Sequence, residues 1–382
     1  MKKILALVLA LCMVFALAAC GQQAAPAAEK EAAADVKVAM ITDYGDITDQ
    51  SFNQTTYEAC KEYCEANGVQ FKYYKPGSDS DDDRITMIEN AIEEGYNVVV
   101  MPGYAFAPAI VATAPNYPDV TFIALDVSEY DLQDANGTAD DFSWVYPSNL
   151  YSAVYQEELC GYMAGYAAVK LGYKNLGFLG GMAVPAVIRY GYGFVQGADA
   201  AAAELGLSDV AINYAYGNQF YGDADITAAM DTWYANGTEV VFACGGGIFT
   251  SAGEAAAKVG GKVIGVDVDQ KGTIDGLYGE GMTVTSAMKG LAPTVKTMLA
   301  AVVGGTFEGG KVETLGLVSA TPEENYVQIP ATTQFSDSFT AEDYAALVGK
   351  MFAGEITVDN DITKGAADFA TVITVNDLGN LK

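Results

Sequence analysis

The sequence predicts an α/β protein built from two doubly wound parallel-sheet lobes joined by a hinge. Short apolar and β-branched runs alternate with longer helical stretches, as in parallel sheets that are covered by helices on both faces. This rhythm begins near residue 36 and restarts near residue 175 without obvious repetition of sequence. The chain has 382 residues, of which 51% are apolar, and this is enough for two cores.

The first lobe is predicted from strand-like runs and the helical segments between them. We expect strands at 36–42, 69–74, 97–101 and 120–125, with helices at 52–66, 82–94 and 106–115. Residues 36–147 are therefore assigned to lobe I.

The second lobe is predicted to open with one long helix at about 150–171. We then expect strands at 175–179, 210–214, 239–243 and 262–266, with helices at 184–205, 223–236 and 248–259. A strand near 282–286, a helix at 287–303 and a tail with a helix near 340–353 follow. We assign 148–269 to lobe II, and expect roughly 270–303 to return to lobe I and 304–382 to return in part to lobe II. Two similar hinged lobes favour a ligand site between them.

The N-terminus predicts a bacterial lipoprotein. Two lysines precede an apolar run at 4–19, which is too short for a spanning helix. The run ends in Leu-Ala-Ala before Cys20, and this matches the lipobox of bacterial lipoproteins. We expect a signal peptide at 1–19, an acylated Cys20 that anchors the chain to the extracytoplasmic face of the cell membrane, and a tether at 20–35. A plain secretory signal with an incidental cysteine is the alternative.

The composition argues against several classes of function. The formal net charge of −29 repels nucleic acid and disfavours phosphorylated ligands. Because there is no histidine, the chain lacks the commonest general base and the usual zinc ligand. The acidic run at 79–83 does not follow the spacing of a calcium loop, so no metal or cofactor is expected. Cys60 and Cys64 lie four apart on a predicted helix, which is a poor spacing for a disulfide.

Three aspartates directly follow predicted strands, namely Asp43, Asp126 and Asp267. Ligands of parallel sheets bind outside the carboxyl ends of the strands, where these carboxylates could accept hydrogen bonds from ligand hydroxyl or N–H groups. Each aspartate alone could instead cap the next helix.

Other candidate residues lie at the starts of helices. Phe52 falls in the first turn of a predicted helix, at the edge of the lobe, and Asn53 offers both a donor and an acceptor. Gly246 lies in a glycine run after a strand, where the backbone could approach a neutral ligand closely. Core filling by Phe52 and an ordinary helix-start role for Lys289 are the alternatives.

A series of motifs is more specific than any single residue. They are Asp43 with Asp49-Gln50-Ser51-Phe52-Asn53-Gln54, then 94–100, 117–126, 158–168, 177–181 and 193–198, and finally Ile264-Gly265-Val266-Asp267-Val268-Asp269-Gln270 with 285–289. In order and spacing, over about residues 36–305, these segments resemble the basic membrane protein (BMP) family of substrate-binding lipoproteins, whose best-known members are purine nucleoside receptors.

The resemblance implies a type I periplasmic-binding-protein fold, the permease subunits of an ABC importer as partners, and a purine nucleoside as ligand. It also implies a role for each candidate residue: Phe52 and Phe220 stack on the base, Asn53 with Asp43 or Asp126 reads the edge of the base, and Gly246, Asp267 and Lys289 hold the ribose. The alignment at 217–223 is ambiguous by one residue, which leaves Tyr221 as the alternative second ring. The acidic residue that the family usually has near Pro108 is missing here.

We therefore expect a solute-binding lipoprotein that performs no chemistry. One alternative is the same fold with a sugar or another small polar ligand. A second is a surface receptor without transport. A third is a hydrolase that uses paired carboxylates such as Asp126 and Asp267.

Overall fold

The structure, a computed structural model, describes residues 35–382. The predicted signal peptide, the acylation site at Cys20 and all but the last residue of the tether lie outside these residues. Within the described part, no helix combines the length and the apolar character that a membrane crossing requires.

The described chain alternates strands and helices over most of its length. The strands are β1 (Lys37–Ile41), β2 (Gln70–Tyr74), β3 (Val98–Pro102), β4 (Thr121–Leu125), β5 (Leu150–Tyr155), β6 (Asn175–Gly180), β7 (Ala211–Tyr216), β8 (Val240–Cys244), β9 (Lys262–Asp267), β10 (Thr283–Lys289), β11 (Lys311–Leu315), β12 (Val327–Gln328) and β13 (Thr374–Asn380). The α-helices are α1 (Phe52–Asn67), α2 (Asp81–Glu93), α3 (Ala107–Thr113), α4 (Glu129–Ala135), α5 (Glu157–Lys170), α6 (Pro185–Leu205), α7 (Ala224–Ala235), α8 (Phe249–Val259), α9 (Lys271–Tyr278), α10 (Leu291–Val303) and α11 (Ala341–Phe352).

The strands form two separate sheets, one in each lobe. The first has six strands in the order β11-β5-β4-β3-β1-β2, and the second has seven in the order β12-β10-β9-β8-β6-β7-β13. All neighbours are parallel except β10 and β12. Strands β3 and β8 are buried along their whole length, as expected for parallel strands with helices on both faces. The predicted class of two doubly wound lobes is confirmed.

The chain passes between the lobes three times, between β5 and α5, between β10 and α10, and after β11. The predicted long helix at 150–171 is wrong, because its first residues form β5 beside β4 in the first sheet. Tyr and Val in this run favour a strand, and the Ala- and Gly-rich helix begins only at Glu157.

The predicted returns of the chain also differ from the structure. Strand β10 pairs with β9 in the second sheet, so the return of 270–303 to the first lobe is limited to α10, which packs against α1. Within the C-terminal segment 304–382, β11 belongs to the first sheet and not to the second. It pairs in parallel with β5, and its backbone N–H and C=O groups bond to those of β5 at the edge of the sheet.

Helices α5 and α6 approach each other so closely that glycine is required at their contact. A Cβ on Gly165 would lie 2.1 Å from the carbonyl oxygen of Phe194, and one on Gly193 would lie 2.0 Å from that of Glu158. This packing brings the N-terminal turns of the two helices together below the gap between the lobes. The cysteines of the described chain are free and buried.

Candidate ligand-binding cleft

The carboxyl ends of the strands in both sheets open into one cleft of about 610 Å³ between the lobes. Cavities of this size accommodate small organic molecules. Its lining includes every binding residue predicted from the sequence: Asp43, Phe52, Asn53, Asp126, Phe220, Gly246, Asp267 and Lys289. The structure thus brings together residues that are up to about 250 positions apart in the chain.

Two of the strand-end aspartates lie in tight left-handed turns. The φ angle is +60° at Asp126, directly after β4, and +64° at Asp267, the last residue of β9. Aspartate is among the few residues that adopt this conformation, and such strain is typical of ligand sites. The third, Asp43, follows β1 and accepts hydrogen bonds from the backbone N–H groups of Tyr44 and Gly45, at 2.6 and 2.7 Å.

A buried ammonium group joins the two lobes at the base of the cleft. Nζ of Lys289 lies 2.5 Å from Asp126, 3.3 Å from Glu157 and 3.8 Å from Asp267. It also lies 4.8 Å from the centre of the Phe52 ring, within the range of a cation–π contact. Because the Lys289 side chain is only 3% exposed, its charge is balanced by these carboxylates and not by water.

Burial and neighbouring charges shift the titration of this cluster. Burial raises the pKa of Asp126 to about 6, although Lys289 opposes the shift. Burial alone would lower the pKa of Lys289, but Asp126, Glu157 and Asp267 together raise it. Burial also opposes ionisation of Glu157, yet Arg189 and Lys289 hold its pKa below the usual value. The lysine and Glu157 are therefore charged at neutral pH.

Helix α1 begins at the wall of the cleft, and its first turn is fixed by Asp49. The Asp49 carboxylate accepts the backbone N–H groups of Ser51, Asn53 and Gln54 at 2.9, 2.9 and 3.0 Å. This cap leaves Phe52 half-buried at the lining of the cleft and holds Asn53 in place through its side-chain NH₂ group, 3.2 Å from Asp49.

Two buried oxygen atoms at the cleft have no hydrogen-bond partner within the described chain. They are Oδ1 of Asn53 and Oδ1 of Asp126. A buried acceptor without a partner costs about 1–3 kcal/mol, so a ligand that donates to these atoms would recover that energy. The cleft therefore offers hydrogen-bond acceptors on the side of the first lobe.

On the opposite wall, Phe220 lies against a floor of glycines. A Cβ on Gly181 would lie 2.4 Å from the Phe220 ring, and one on Gly245 would lie 3.0 Å from it. Gly246, with φ at +51°, also requires glycine, and a Cβ there would lie 2.9 Å from the carbonyl oxygen of Phe220. Phe220 is half-buried, whereas the neighbouring Tyr221 borders the same cleft but is 62% exposed.

Two charged residues of the cluster were not among the residues predicted from the sequence. Glu157 is fully buried and pairs with Nε of Arg189 at 2.8 Å, and Arg189 lines the cleft. The sequence does contain one indication of these residues, the two glutamates at 157–158, which begin a helix that is otherwise almost entirely apolar. Buried carboxylates require partners, so this pair indicated an ion cluster.

Direct hydrogen bonds also connect the lobes beside the cluster. The hydroxyl group of Ser51, in the first lobe, donates to Oδ2 of Asp267, in the second lobe, at 2.6 Å, and the hydroxyl group of Tyr190, within the second lobe, holds Oδ1 of Asp267 at 3.2 Å. The side-chain NH₂ group of Gln270 donates to the carbonyl oxygen of Gln50 at 3.0 Å. The structure therefore describes the lobes in contact around the cleft.

Comparison with known proteins finds one matching family model and several relatives of similar length. The Bmp family, described as ABC transporter substrate-binding protein PnrA-like, matches residues 36–359. The ABC transporter nucleoside-binding protein BmpA of Lactococcus lactis is 28% identical over an alignment of 363 residues that covers 88% of this chain and 97% of that protein. The CD4+ T-cell-stimulating antigen of Listeria innocua is 27% identical over an alignment of 329 residues that covers 80% of this chain and 86% of the antigen.

Among solved structures, an ABC transporter solute-binding protein from Conexibacter woesei has the same fold. Its TM-score is 0.65 at 23% sequence identity, and the match covers 85% of this chain and 99% of that one. This likeness confirms the predicted periplasmic-binding-protein type of fold.

Proposed function

The chain belongs to the Bmp family of PnrA-like ABC transporter substrate-binding proteins, and we propose that it captures a purine nucleoside between its two lobes for import. Its partners are then a small-molecule ligand and the permease subunits of an ABC importer. A role in binding and not in catalysis follows from the family, whose members are substrate-binding proteins.

The observation that carries the proposal is the pairing of half-buried rings with open acceptors in one cleft. Phe52 and Phe220 border the cleft from different lobes, and the unpartnered oxygens of Asn53 and Asp126 lie on the Phe52 side. A flat base that stacks on such rings gains about 1–3 kcal/mol per contact. Its ring N–H and amino groups could donate to the open acceptors, so a nucleobase matches both features.

The charges of the cleft favour a neutral nucleoside over a nucleotide. Lys289 is already balanced by three carboxylates within 3.8 Å, so it offers no free positive charge to a phosphate. Asp267 and Lys289 could instead hold the two hydroxyl groups of a ribose, as acceptor and donor respectively. The name of the Lactococcus lactis relative, a nucleoside-binding protein, supports this class of ligand.

The proposal is tested by a thermal-shift screen followed by calorimetry. Purine and pyrimidine nucleosides, free bases, nucleoside monophosphates and pentoses are added to the purified protein. A ligand at 100 times its Kd stabilises the folded state by about 2.7 kcal/mol, which is readily visible. We expect the largest shift with purine nucleosides. A shift with pentoses alone would contradict the proposal and favour the sugar-binding alternative.

We further propose that Cys20 is acylated and holds the protein on the extracytoplasmic face of the cell membrane. The supporting observation is the Leu-Ala-Ala-Cys segment behind a short apolar run. The full chain, expressed in a bacterial host, should incorporate radiolabelled palmitate and fractionate with membranes, and Cys20→Ser should abolish the incorporation of palmitate. Palmitate labelling of the Cys20→Ser variant equal to that of the wild type would contradict acylation at this residue.

A further inference from the structure

The last residues of the sequence form a segment that the family match does not cover. The match ends at residue 359, and residues 371–382 run along the outer edge of the second sheet. There β13 pairs in parallel with β7, from Thr374 opposite Ala211 to Asn380 opposite Tyr216. We call residues 371–382 the C-terminal strap.

The strap is fixed at its beginning by a buried carboxylate of α6. Asp199 accepts hydrogen bonds from the backbone N–H groups of Thr371, Val372 and Ile373 at 2.8, 2.8 and 3.1 Å. It also accepts the Thr371 hydroxyl group at 2.6 Å. Four hydrogen bonds to one charged group make a firm anchor, so the start of the strap is set by the body of the lobe.

The other end of the strap reaches the loop that carries Phe220. The backbone N–H of Leu381 donates to the carbonyl oxygen of Tyr216 at 2.8 Å, where β7 ends and the loop begins. The ammonium group of Lys382 donates to the carboxylate of Asp223 and, at 3.2 Å, to the side-chain oxygen of Gln219. Lys382 therefore contacts residues on both sides of Phe220.

The loop is also held by backbone hydrogen bonds at its start and at Phe220, and the contacts of Gln219 add to these. The side-chain NH₂ group of Gln219 donates to the carbonyl oxygen of Tyr221 at 2.9 Å and to Asp223 at 3.0 Å, so the Lys382 contacts continue through Gln219 across the loop. Asn218 adopts a left-handed φ of +58° and donates its N–H to Gly181 at 3.0 Å. A loop with such a turn keeps one conformation only when its surroundings fix it.

We propose that the C-terminal strap positions the aromatic wall of the cleft, with Lys382 as the positioning residue for Phe220. Lys382 does not line the cleft, so it acts through Gln219 and Asp223 and not by touching the ligand. A loop that is already ordered loses less conformational entropy when a ligand binds, and affinity rises accordingly. The effect on ligand affinity rests on the proposed function, whereas the ordering of the loop does not.

The role is separable from global stability. The side chains of Lys382 and Asp223 are 29% and 27% exposed, and exposed ion pairs contribute little to the stability of a whole domain. Reversing the charge should therefore loosen the loop locally and leave the fold intact. Lys364 provides a matched control, because it pairs with Asp359 on the surface, away from the Phe220 loop.

Hydrogen exchange of the ligand-free full-length protein tests the ordering of the loop. In Lys382→Glu we expect the amides of Asn218 and Gly247, which bond to Gly181 and Phe220, to exchange at least about fivefold faster than in the wild type. Lys382→Arg and Lys364→Glu should exchange like the wild type, and Tm should change little in all three variants. Unchanged exchange at these amides in Lys382→Glu would overturn the proposal, as would a general loss of protection across the second lobe.

Ligand dissociation gives the second readout. With inosine as the probe, stopped-flow dissociation should be about three- to tenfold faster for Lys382→Glu and unchanged for Lys364→Glu. If the wild type binds no nucleoside, the proposed function fails while the exchange experiment still decides the role of the strap. Equal dissociation rates together with a loosened loop would overturn the link between the strap and affinity.

Discussion

Replacing Lys289 with Met should destabilise the ligand-free protein strongly. The Lys289 side chain is 3% exposed and lies within 3.8 Å of three carboxylates, of which only Glu157 has a second cationic partner, Arg189. Methionine fills a similar volume but leaves Asp126 and Asp267 without a counter-ion. Removing one partner from a buried ion cluster costs about 3–5 kcal/mol, so we expect a loss of that size in the free energy of unfolding near pH 8.

The loss should depend on pH in a defined direction. The folded-state pKa of Asp126 is already raised to about 6 by burial, and removal of the lysine charge would raise it further. When the pKa of a carboxyl group is higher in the folded state than in the unfolded state, the folded protein is most stable at pH values below the unfolded-state pKa, which is near 4. That stability is lost as the pH rises through the folded pKa. Lys289→Met should therefore be less destabilising at pH 5 than at pH 8.

The assay is urea unfolding followed by circular dichroism at pH 5 and pH 8. Lys258→Met is the matched control, because Lys258 pairs with Asp231 at 2.9 Å on the exposed surface and its loss should leave the midpoint nearly unchanged. The electrostatic account is refuted if the two variants have equal midpoints, or if the Lys289→Met loss is the same at both pH values.

Three further results are expected. Phe52→Ala should weaken purine nucleoside binding more than tenfold without unfolding the protein, since stacking contributes about 1–3 kcal/mol per base; unchanged affinity by calorimetry would rule out the stacking role. Gly181→Ala should weaken the same binding, because the added Cβ would lie 2.4 Å from the Phe220 ring and would displace it. Gly272→Ala, whose added Cβ meets no atom within 4 Å, should bind like the wild type. Equal affinities of the two variants would contradict the observed position of Phe220. Glu158 has its pKa raised to about 7 by burial and by the neighbouring Glu157 charge, so it costs stability as the pH rises through 7. Glu158→Gln should therefore raise the free energy of unfolding at pH 8 by up to about 3 kcal/mol with little change at pH 5, and urea midpoints that move equally at both pH values would count against this assignment.

The regular alternation of strands and helices could be predicted because burial on both faces leaves a clear mark in the sequence. Strand β3 consists almost entirely of valine and other apolar residues, and its bounds differ from the prediction by one residue. The prediction for β10 was less accurate, because the strand continues to Lys289 where a helix was expected from 287. The start of the second lobe could not be predicted in the same way. Leu150–Tyr155 becomes a strand only because β4 and β11 lie on either side of it, and the sequence does not contain that pairing.

The predicted site residues meet at one cleft for a topological reason. Asp43 and Asp126 follow parallel strands and Asp267 ends one, and parallel strands in one lobe end at the same edge of the sheet. The partners of Lys289 were harder to predict. Glu157 begins a helix of the same lobe as Lys289 but lies more than 130 residues earlier in the chain, and its contact with Arg189 depends on glycines that bring α5 and α6 together.

The most direct test of nucleoside capture is a crystal structure of the protein grown with inosine at saturating concentration. The proposal predicts a base between the rings of Phe52 and Phe220, with the edge of the base donating to Asn53 or Asp126 and the ribose within hydrogen-bond distance of Asp267 or Lys289. An inosine bound outside the cleft, or a Phe52 ring turned into the core of the first lobe with no base beside it, would contradict the proposal.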